Sequence, residues 1–129
     1  MKTVLIVDDN PDGILLTQIA LSELVLDIRT ETADSGENAL RLLADAPDLP
    51  ALILLDLKMP GIGGIETLRR IRADDRLKHI PVVIVTLSTL ESDEVTARET
   101  GANGFVRKAI RNEEFSRDLE QQVRLYVKS

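Results

Sequence analysis

Near the start of the chain stands Val4-Leu5-Ile6-Val7-Asp8-Asp9-Asn10-Pro11, four aliphatic residues followed at once by polar ones. A short apolar run that is rich in β-branched residues and bounded by polar ones is typical of a strand buried on both faces. Asn10 is a favourable helix N-cap, and Pro11 suits the first position of a helix. The stretch therefore predicts a buried strand that leads within a few residues into a helix.

The same succession of strand and helix continues along the chain. Two further apolar runs, 51–55 and 80–87, indicate buried strands. Two weaker runs, 27–31 and 103–107, alternate more and are expected at the edges of the sheet. The helices are expected at 11–25, at 36–46, around Ile65, Leu68 and Ile71, at 92–100, and along the face of Phe115, Leu119, Val123 and Tyr126. The fourth is mostly polar and is therefore a candidate mobile element.

This alternation specifies the fold class. Strands that alternate with helices of this length imply right-handed crossovers and a parallel sheet covered on both faces. We therefore expect an α/β, flavodoxin-like, doubly wound sheet of five parallel strands in the order 2-1-3-4-5, with five helices. The 129 residues fit one domain, 1–129, and we expect no internal repeat, linker or attached output domain.

Composition excludes several classes of function. Hydrophobic residues make up 43% and charged residues 29%, which is a globular balance, and the three aromatic residues are too few for a base-stacking or flavin-stacking platform. A net charge of −6 disfavours nucleic acid and anionic membranes as partners. The absence of cysteine excludes disulfides and thiolate sites. The first apolar run is too short for a signal peptide or a membrane span, so the expectation is a soluble, cytoplasmic protein.

Polar residues follow four of the predicted strands. In open α/β sheets, sites form at the carboxyl ends of the strands, near the point where the strand order reverses. The residues that should converge there are Asp8, Asp9, Asp56, Thr86 and Lys108. None of these residues is specific alone, since each has an ordinary role as a cap, turn residue or solvated charge. Their joint placement on one rim is what predicts a functional site.

The chemistry of this rim points to phosphate. Three carboxylates at one place repel one another unless a cation neutralises them, and hard oxygen ligands suit Mg²⁺. An ammonium and a hydroxyl beside the metal are what a developing anionic phosphoryl group needs. Among the carboxylates Asp56 is the expected nucleophile, because a carboxylate can carry a phosphoryl group covalently.

With these residues in place, the chain resembles the receiver domain of bacterial response regulators over essentially its full length. The motifs that carry the resemblance are Leu5-Ile6-Val7-Asp8-Asp9, Leu54-Leu55-Asp56-Leu57-Lys58-Met59-Pro60-Gly61, Gly63-Gly64, Ile84-Val85-Thr86 and Gly101-Ala102-Asn103-Gly104-Phe105-Val106-Arg107-Lys108. The resemblance implies roles for the following residues: Asp56 as phosphoacceptor, Asp9 as direct Mg²⁺ ligand, Asp8 as ligand largely through water, Lys58 as ligand through its backbone carbonyl, Thr86 and Lys108 on the phosphoryl oxygens, and Phe105 as aromatic switch.

The resemblance also implies partners. The phosphoryl donor would be a phosphohistidine on a sensor histidine kinase or a histidine phosphotransfer protein. Output would pass through the fourth helix, fifth strand and fifth helix to an unknown downstream protein target, and homodimer formation is left open. The chain would not be an enzyme beyond assisting its own aspartyl phosphorylation and dephosphorylation.

Four positions depart from the usual family pattern. Lys58 stands where the family often has a neutral side chain, Gly63 where aspartate is common, and Leu87 where the residue is usually small. Ala109 replaces the usual proline after the rim lysine, so a cis bond there would cost about 3–4 kcal/mol. None of these changes removes a primary group of the predicted site.

Other readings of the sequence are weaker. A flavodoxin needs a Ser/Thr-rich phosphate loop after the first strand, and a haloacid-dehalogenase-type enzyme needs a second aspartate two residues after the first, where this chain has Asn10. Neither a Walker loop nor a dinucleotide fingerprint is present, and His79 is expected to be a solvated loop residue. The alternative from another class is a constitutive protein-interaction module of the same fold that phosphorylation does not switch.

Overall fold

The computed structural model describes residues 2–108 and 112–127 of the chain. Strands and helices alternate throughout that part, as the sequence predicts. The elements are β1 (Lys2–Val7), α1 (Pro11–Ser22), β2 (Ile28–Ala33), α2 (Gly36–Asp45), β3 (Leu52–Leu55), α3 (Gly63–Ala73), β4 (Val82–Thr86), α4 (Glu91–Thr100), β5 (Gly104–Arg107) and α5 (Asn112–Tyr126).

The strands form one parallel sheet in the order β2-β1-β3-β4-β5, which confirms the predicted flavodoxin-like topology. Val7 is in register with Leu55, Leu55 with Ile84, and Thr86 with Arg107. The carboxyl ends of the four strands β1, β3, β4 and β5 therefore finish at nearly the same level. Residues that follow these strands are brought to a common rim.

Two aliphatic cores cover the two faces of the sheet. In β1, Leu5 and Val7 pack with residues of α2, α3 and α4, whereas Val4 and Ile6 pack with residues of α1 and α5. This alternation is the period of two that a strand imposes on its side chains. Burial on both faces explains why the central strands are continuous aliphatic runs.

Several boundaries differ from the prediction for local reasons. Helix α1 ends at Ser22, before the predicted 25, and Val25 is largely exposed. Strand β4 is shorter than the predicted 80–87, because Pro81 has no N–H for the ladder and Leu87 lies beyond the last paired residue. The predicted helix α1 and strand β4 were too long because they followed apolar character alone. Burial and backbone pairing determine where the two elements end.

The last two helices behave differently from each other. Helix α4 buries only Ala97 and ends at Thr100, and its C-cap Gly101 adopts a left-handed conformation at φ 118°. Helix α5 instead buries Phe115, Leu119 and Val123 against the sheet. The predicted polar character of α4 is thus confirmed. Across 2–108 and 112–127, every helix is too short or too polar to cross a lipid bilayer.

Candidate functional site

The carboxyl-terminal rim of the sheet gathers the residues that the sequence singled out. The backbone N–H of Asp8 donates to Ala33 at 3.1 Å, that of Asp56 donates to Val7 at 2.9 Å, and that of Lys108 donates to Thr86 at 2.8 Å. These hydrogen bonds extend the sheet past the strand ends and fix where each side chain starts. A cleft on this rim is lined by Asp9, Asn10, Asp56, Lys58, Thr86, Leu87 and Lys108.

Three carboxylates lie close together at the cleft. Asp8, Asp9 and Asp56 each offer an oxygen within 4.8 Å of the others. Asp8 and Asp56 are only 3% and 7% exposed, whereas Asp9 faces solvent. Carboxylate oxygens with one open side are the donor set that Mg²⁺ or Mn²⁺ takes in proteins. The three residues therefore fit a hard divalent cation, and their roles as ligands stay predictions.

Lys108 supplies the positive charge of the site. Its ammonium lies 2.5 Å from Asp8 Oδ2 and 3.4 Å from Asp56 Oδ2, and its side chain is 7% exposed. One buried ammonium thus contacts two of the three carboxylates, so the cluster retains negative charge that a divalent cation can balance. The same ammonium is close enough to Asp56 to reach a group attached to that carboxylate.

Burial raises the pKa of Asp56 above its ordinary value, and the charge of Asp8 raises it further. The Lys108 ammonium is the largest opposing influence, followed by a hydrogen bond from the Thr86 hydroxyl and one from the Lys58 N–H, which is 3.2 Å from Asp56 Oδ1. Thr86 itself is fully buried. Donors therefore already surround the Asp56 oxygens before any phosphoryl group arrives.

Removing the Asp56 charge should stabilise the fold in metal-free buffer. Because the folded-state pKa of Asp56 is raised, its ionised form destabilises the protein at neutral pH, and this effect shrinks as the pH falls towards the unfolded pKa near 3.8. We expect Asp56→Asn to raise the free energy of unfolding at pH 7 by roughly 1 kcal/mol, the usual scale of a point change. Urea unfolding at pH 7 and pH 4 checks this. Equal stabilisation at both pH values would contradict it.

Two glycines support the site. Sequence reasoning did not single out Gly13, and it named Gly64 only within the Gly63-Gly64 motif, without a packing role. A Cβ at Gly13 would stand 3.0 Å from the Lys108 ammonium and would overlap the Asp8 carboxylate. A Cβ at Gly64 would stand 2.6 Å from the Leu57 Cα and nearer still to the Asp56 carbonyl oxygen. Glycine within a helix costs about 1 kcal/mol relative to alanine. A glycine in a predicted helix therefore indicates close packing at that position, and this was the signal available in the sequence.

Lys58 and Phe105 connect the rim to α4 and β5. The Lys58 ammonium pairs with Asp93 of α4 at 3.2 Å, so the charge that departs from the family pattern has an acidic partner. Phe105 is partly buried against the core that includes α4, and the Arg107 guanidinium lies 5.0 Å from its ring centroid. The switch role of Phe105 stays a prediction.

Three further positions that the sequence singled out are Leu87, His79 and Ala109. Leu87 lines the mouth of the cleft and is 69% exposed. His79 is exposed in the loop before β4, as expected. The bond between Lys108 and Ala109 lies outside the described residues, so the predicted departure at that position receives no structural account.

Comparison with known proteins agrees with the geometry. The family model described as "Response regulator receiver domain" matches residues 4–120. The chain is 34% identical over 118 residues to the chemotaxis protein CheY of Pseudomonas aeruginosa, covering 92% of this chain and 93% of that protein. Other curated relatives are longer, and the chain spans less than a quarter of the first of them.

Solved structures give the same result. The phosphorylated cyanobacterial phytochrome response regulator RcpA matches with a TM-score of 0.88 and 28% identity, over 97% of this chain and 93% of that one. The Mn²⁺-bound form of the response regulator Rcp1 matches with a TM-score of 0.88 and 27% identity, over 100% of this chain and 96% of that one.

Proposed function

The chain belongs to the response regulator receiver domain family of two-component signalling, and from this premise we propose that it accepts a phosphoryl group on Asp56 and signals through α4, β5 and α5. The observation that supports this most is the buried Asp56 carboxylate between the Lys108 ammonium and the Thr86 hydroxyl, beside Asp8 and Asp9. We propose that the receiver unit comprises residues 1–129.

The proposed reaction is transfer from a phosphohistidine of a sensor histidine kinase or histidine phosphotransfer protein. An Asp56 carboxylate oxygen attacks phosphorus, the new O–P bond forms as the P–N bond breaks, and the imidazole nitrogen keeps the electron pair and takes a proton. Receiver domains are generally signalling switches and not enzymes. The chain's own chemistry is thus its aspartyl phosphorylation and dephosphorylation.

The groups around Asp56 have distinct tasks in this transfer. Thr86 donates to one phosphoryl oxygen, and the Lys108 ammonium, already 3.4 Å from Asp56, pairs with another. Asp8, Asp9, Asp56 and the Lys58 carbonyl would hold Mg²⁺, which when bound would neutralise charge developing on the phosphoryl oxygens. Receiver domains bind such cations at an acidic pocket, and the cluster here fits one.

The proposed output is a change in α4, β5 and α5. A ligand shifts a two-state equilibrium only through contacts that differ between the states, and contacts of Thr86 with the phosphoryl group would supply that difference. Helix α4 can move at little cost because it buries only Ala97. A histidine kinase or phosphotransfer protein as donor, a protein as downstream target and the cytoplasmic location stay predictions. Homodimer formation stays open.

Hydrogen exchange tests whether phosphorylation switches the protein. Beryllofluoride with Mg²⁺ imitates the phosphoryl group, so we expect it to change amide exchange in α4 and β5 while exchange in α2 stays the same. The phosphate-contacting Thr86 should be required, and Thr86→Ala is expected to lose the response. Identical exchange with and without beryllofluoride would instead favour a constitutive interaction module.

Leu87 is proposed to limit how fast small molecules reach Asp56. Hydrolysis needs a water in line with phosphorus, and the leucine side chain lines the mouth of the cleft. We expect Leu87→Ala to raise phosphorylation by small donors and self-dephosphorylation by about threefold or more, since positioning of the attacking group dominates such rates. Leu90→Ala, which removes an exposed leucine that is not part of the cleft lining, is the matched control. Rates within about twofold of wild type would contradict steric blocking.

A further inference from the structure

Asp93, in the first turn of α4, receives two polar contacts from outside its helix. The Lys58 ammonium lies 3.2 Å from Asp93 Oδ2, and the Ser88 hydroxyl donates a hydrogen bond to the same oxygen. Lys58 belongs to the loop after β3 and Ser88 to the loop after β4. Asp93 thus joins α4 to two of the loops that border the cleft.

Both partners of Asp93 also contact the phosphorylation site through their backbones. The Lys58 N–H donates to Asp56 Oδ1 at 3.2 Å, and the Ser88 N–H donates to Thr86 Oγ1 at 3.4 Å. Thr86 in turn lies beside Asp56 in the lining of the cleft, and its hydroxyl lowers the pKa of that carboxyl. The contacts therefore close a ring from Asp56 through Lys58, Asp93, Ser88 and Thr86 back to Asp56.

The opposite end of α4 is attached in a different way. Arg72 of α3 donates to the carbonyl of Gly101, the C-cap of α4, at 3.0 Å, and also to Asn103 Oδ1 at 2.9 Å. This half-buried guanidinium lies far along the sheet from the rim and touches no residue of the cleft lining. The carboxyl end of α4 is thus fixed independently of the site, whereas Asp93 at its amino end is held by residues of two loops that border the site.

From this arrangement we propose that Asp93 is a positioning residue for the proposed phosphorylation, holding the Lys58 ammonium away from Asp56 and fixing the first turn of α4 to the unphosphorylated rim. The inference rests on the proposed function. A phosphoryl group on Asp56 competes with Asp93 for the Lys58 ammonium. When Thr86 moves towards that phosphoryl group, the Ser88 N–H loses its acceptor. Both events weaken the attachment of the amino end of α4 while Arg72 keeps the other end in place.

The coupling works in both directions. If phosphorylation weakens the attachment at Asp93, then weakening that attachment must favour the phosphorylated state at equilibrium, because linkage between two equilibria is reciprocal. Loss of the Asp93 carboxylate also frees the Lys58 ammonium, which lines the cleft and can attract an anionic phosphodonor. Asp93 therefore restrains both the movement of α4 and the phosphorylation of Asp56.

If Asp93 only stabilised its own helix, the effect of its removal would not depend on Lys58. An acidic residue in the first turn of a helix stabilises it through the helix dipole, and this effect does not depend on Lys58. Glu91 lies in the same turn, is exposed, and has no ion pair among those described for residues 2–108 and 112–127. Glu91→Gln therefore removes the same dipole contribution without touching the ring of contacts.

The test compares Asp93→Asn with Glu91→Gln in two measurements. In the unphosphorylated protein, amide exchange across residues 88–97 should be faster in Asp93→Asn than in wild type or Glu91→Gln. Phosphorylation by phosphoramidate with Mg²⁺, followed by intact mass, should be faster in Asp93→Asn by about threefold, the scale of one exposed ion pair. The acceleration should disappear in the double variant that combines Asp93→Asn with Lys58→Gln. The single variant Asp93→Glu should have the wild-type rate.

The outcomes separate failure of this inference from failure of the proposed function. If wild type is phosphorylated but Asp93→Asn matches Glu91→Gln in both measurements, the positioning role is wrong. If the acceleration persists in the Lys58→Gln background, Asp93 does not act through Lys58 and the inference is also overturned. If wild type takes up no phosphoryl group, the proposed function fails, while the exchange measurement still decides whether Asp93 fixes the first turn of α4.

Discussion

Replacing Asp9 with alanine is expected to abolish Mg²⁺ binding and phosphorylation of Asp56 while the fold survives. Asp8 and Asp56 are buried and share the Lys108 ammonium, whereas Asp9 is the carboxylate of the cluster that faces solvent. Without it, too few hard oxygen ligands remain for a divalent cation. Loss of one like charge also relieves repulsion within the cluster, so stability should be equal to wild type or higher.

Titration calorimetry with Mg²⁺ and thermal unfolding measure the two halves of this prediction. The affinity of Asp9→Ala for Mg²⁺ should fall by at least about 100-fold, beyond the usual effect of a residue that only supports a ligand. Asp12→Asn, which removes an exposed acid from the first turn of α1, is the matched control and should bind Mg²⁺ like wild type. Unchanged affinity in Asp9→Ala would sink the assignment of this cluster as the metal site.

Gly64→Ala is expected to be the most damaging small substitution near the site. The added Cβ would stand 2.6 Å from the Leu57 Cα and would overlap the Asp56 carbonyl oxygen, and both of these are backbone atoms that cannot rotate away. Either α3 or the loop that carries Asp56 must shift. We expect a loss of about 2–3 kcal/mol in the free energy of unfolding, which is the upper part of the usual range for overpacking, together with slower phosphorylation.

Gly63→Asn separates lack of space from backbone strain. Gly63 has φ 76°, a conformation that asparagine tolerates better than most residues. The atom nearest to an added Cβ is the Leu57 carbonyl oxygen, 4.0 Å away. Urea unfolding should therefore show a smaller loss in Gly63→Asn than in Gly64→Ala. A loss in Gly64→Ala no larger than in Gly63→Asn would show that α3 is not closely packed on the Asp56 loop.

The strand order and the rim residues were accessible from sequence because both depend on local patterns. Aliphatic runs as short as 51–55 predict buried strands, and parallel strands bring the residues at their carboxyl ends together. Asp56 and Lys108 are far apart in the chain, yet each directly follows its strand, so the topology alone implies that they meet. The structure brings them within 3.4 Å.

The parts that escaped prediction depend on specific tertiary contacts. Nothing in the periodicity of α3 distinguishes Arg72 from a solvated arginine, but its guanidinium donates to the carbonyls of Gly101 and Ile80. The pairing of Lys58 with Asp93 joins the loop after β3 to the first turn of α4, and no local pattern relates these two segments. The close approach at Gly64 is visible only when the backbone of Asp56 is in place. Propensity and pattern carry no information on such contacts.

Phosphorylation of Asp56 itself is the claim on which the account depends. The most direct measurement is the intact mass of the protein after incubation with Mg²⁺ and phosphoramidate, in parallel with Asp56→Asn and with a sample that contains EDTA. The account predicts that wild type gains one phosphoryl group and that neither the Asp56→Asn protein nor the EDTA sample does. A wild-type protein that stays unmodified, or an Asp56→Asn protein that is modified equally, would contradict it.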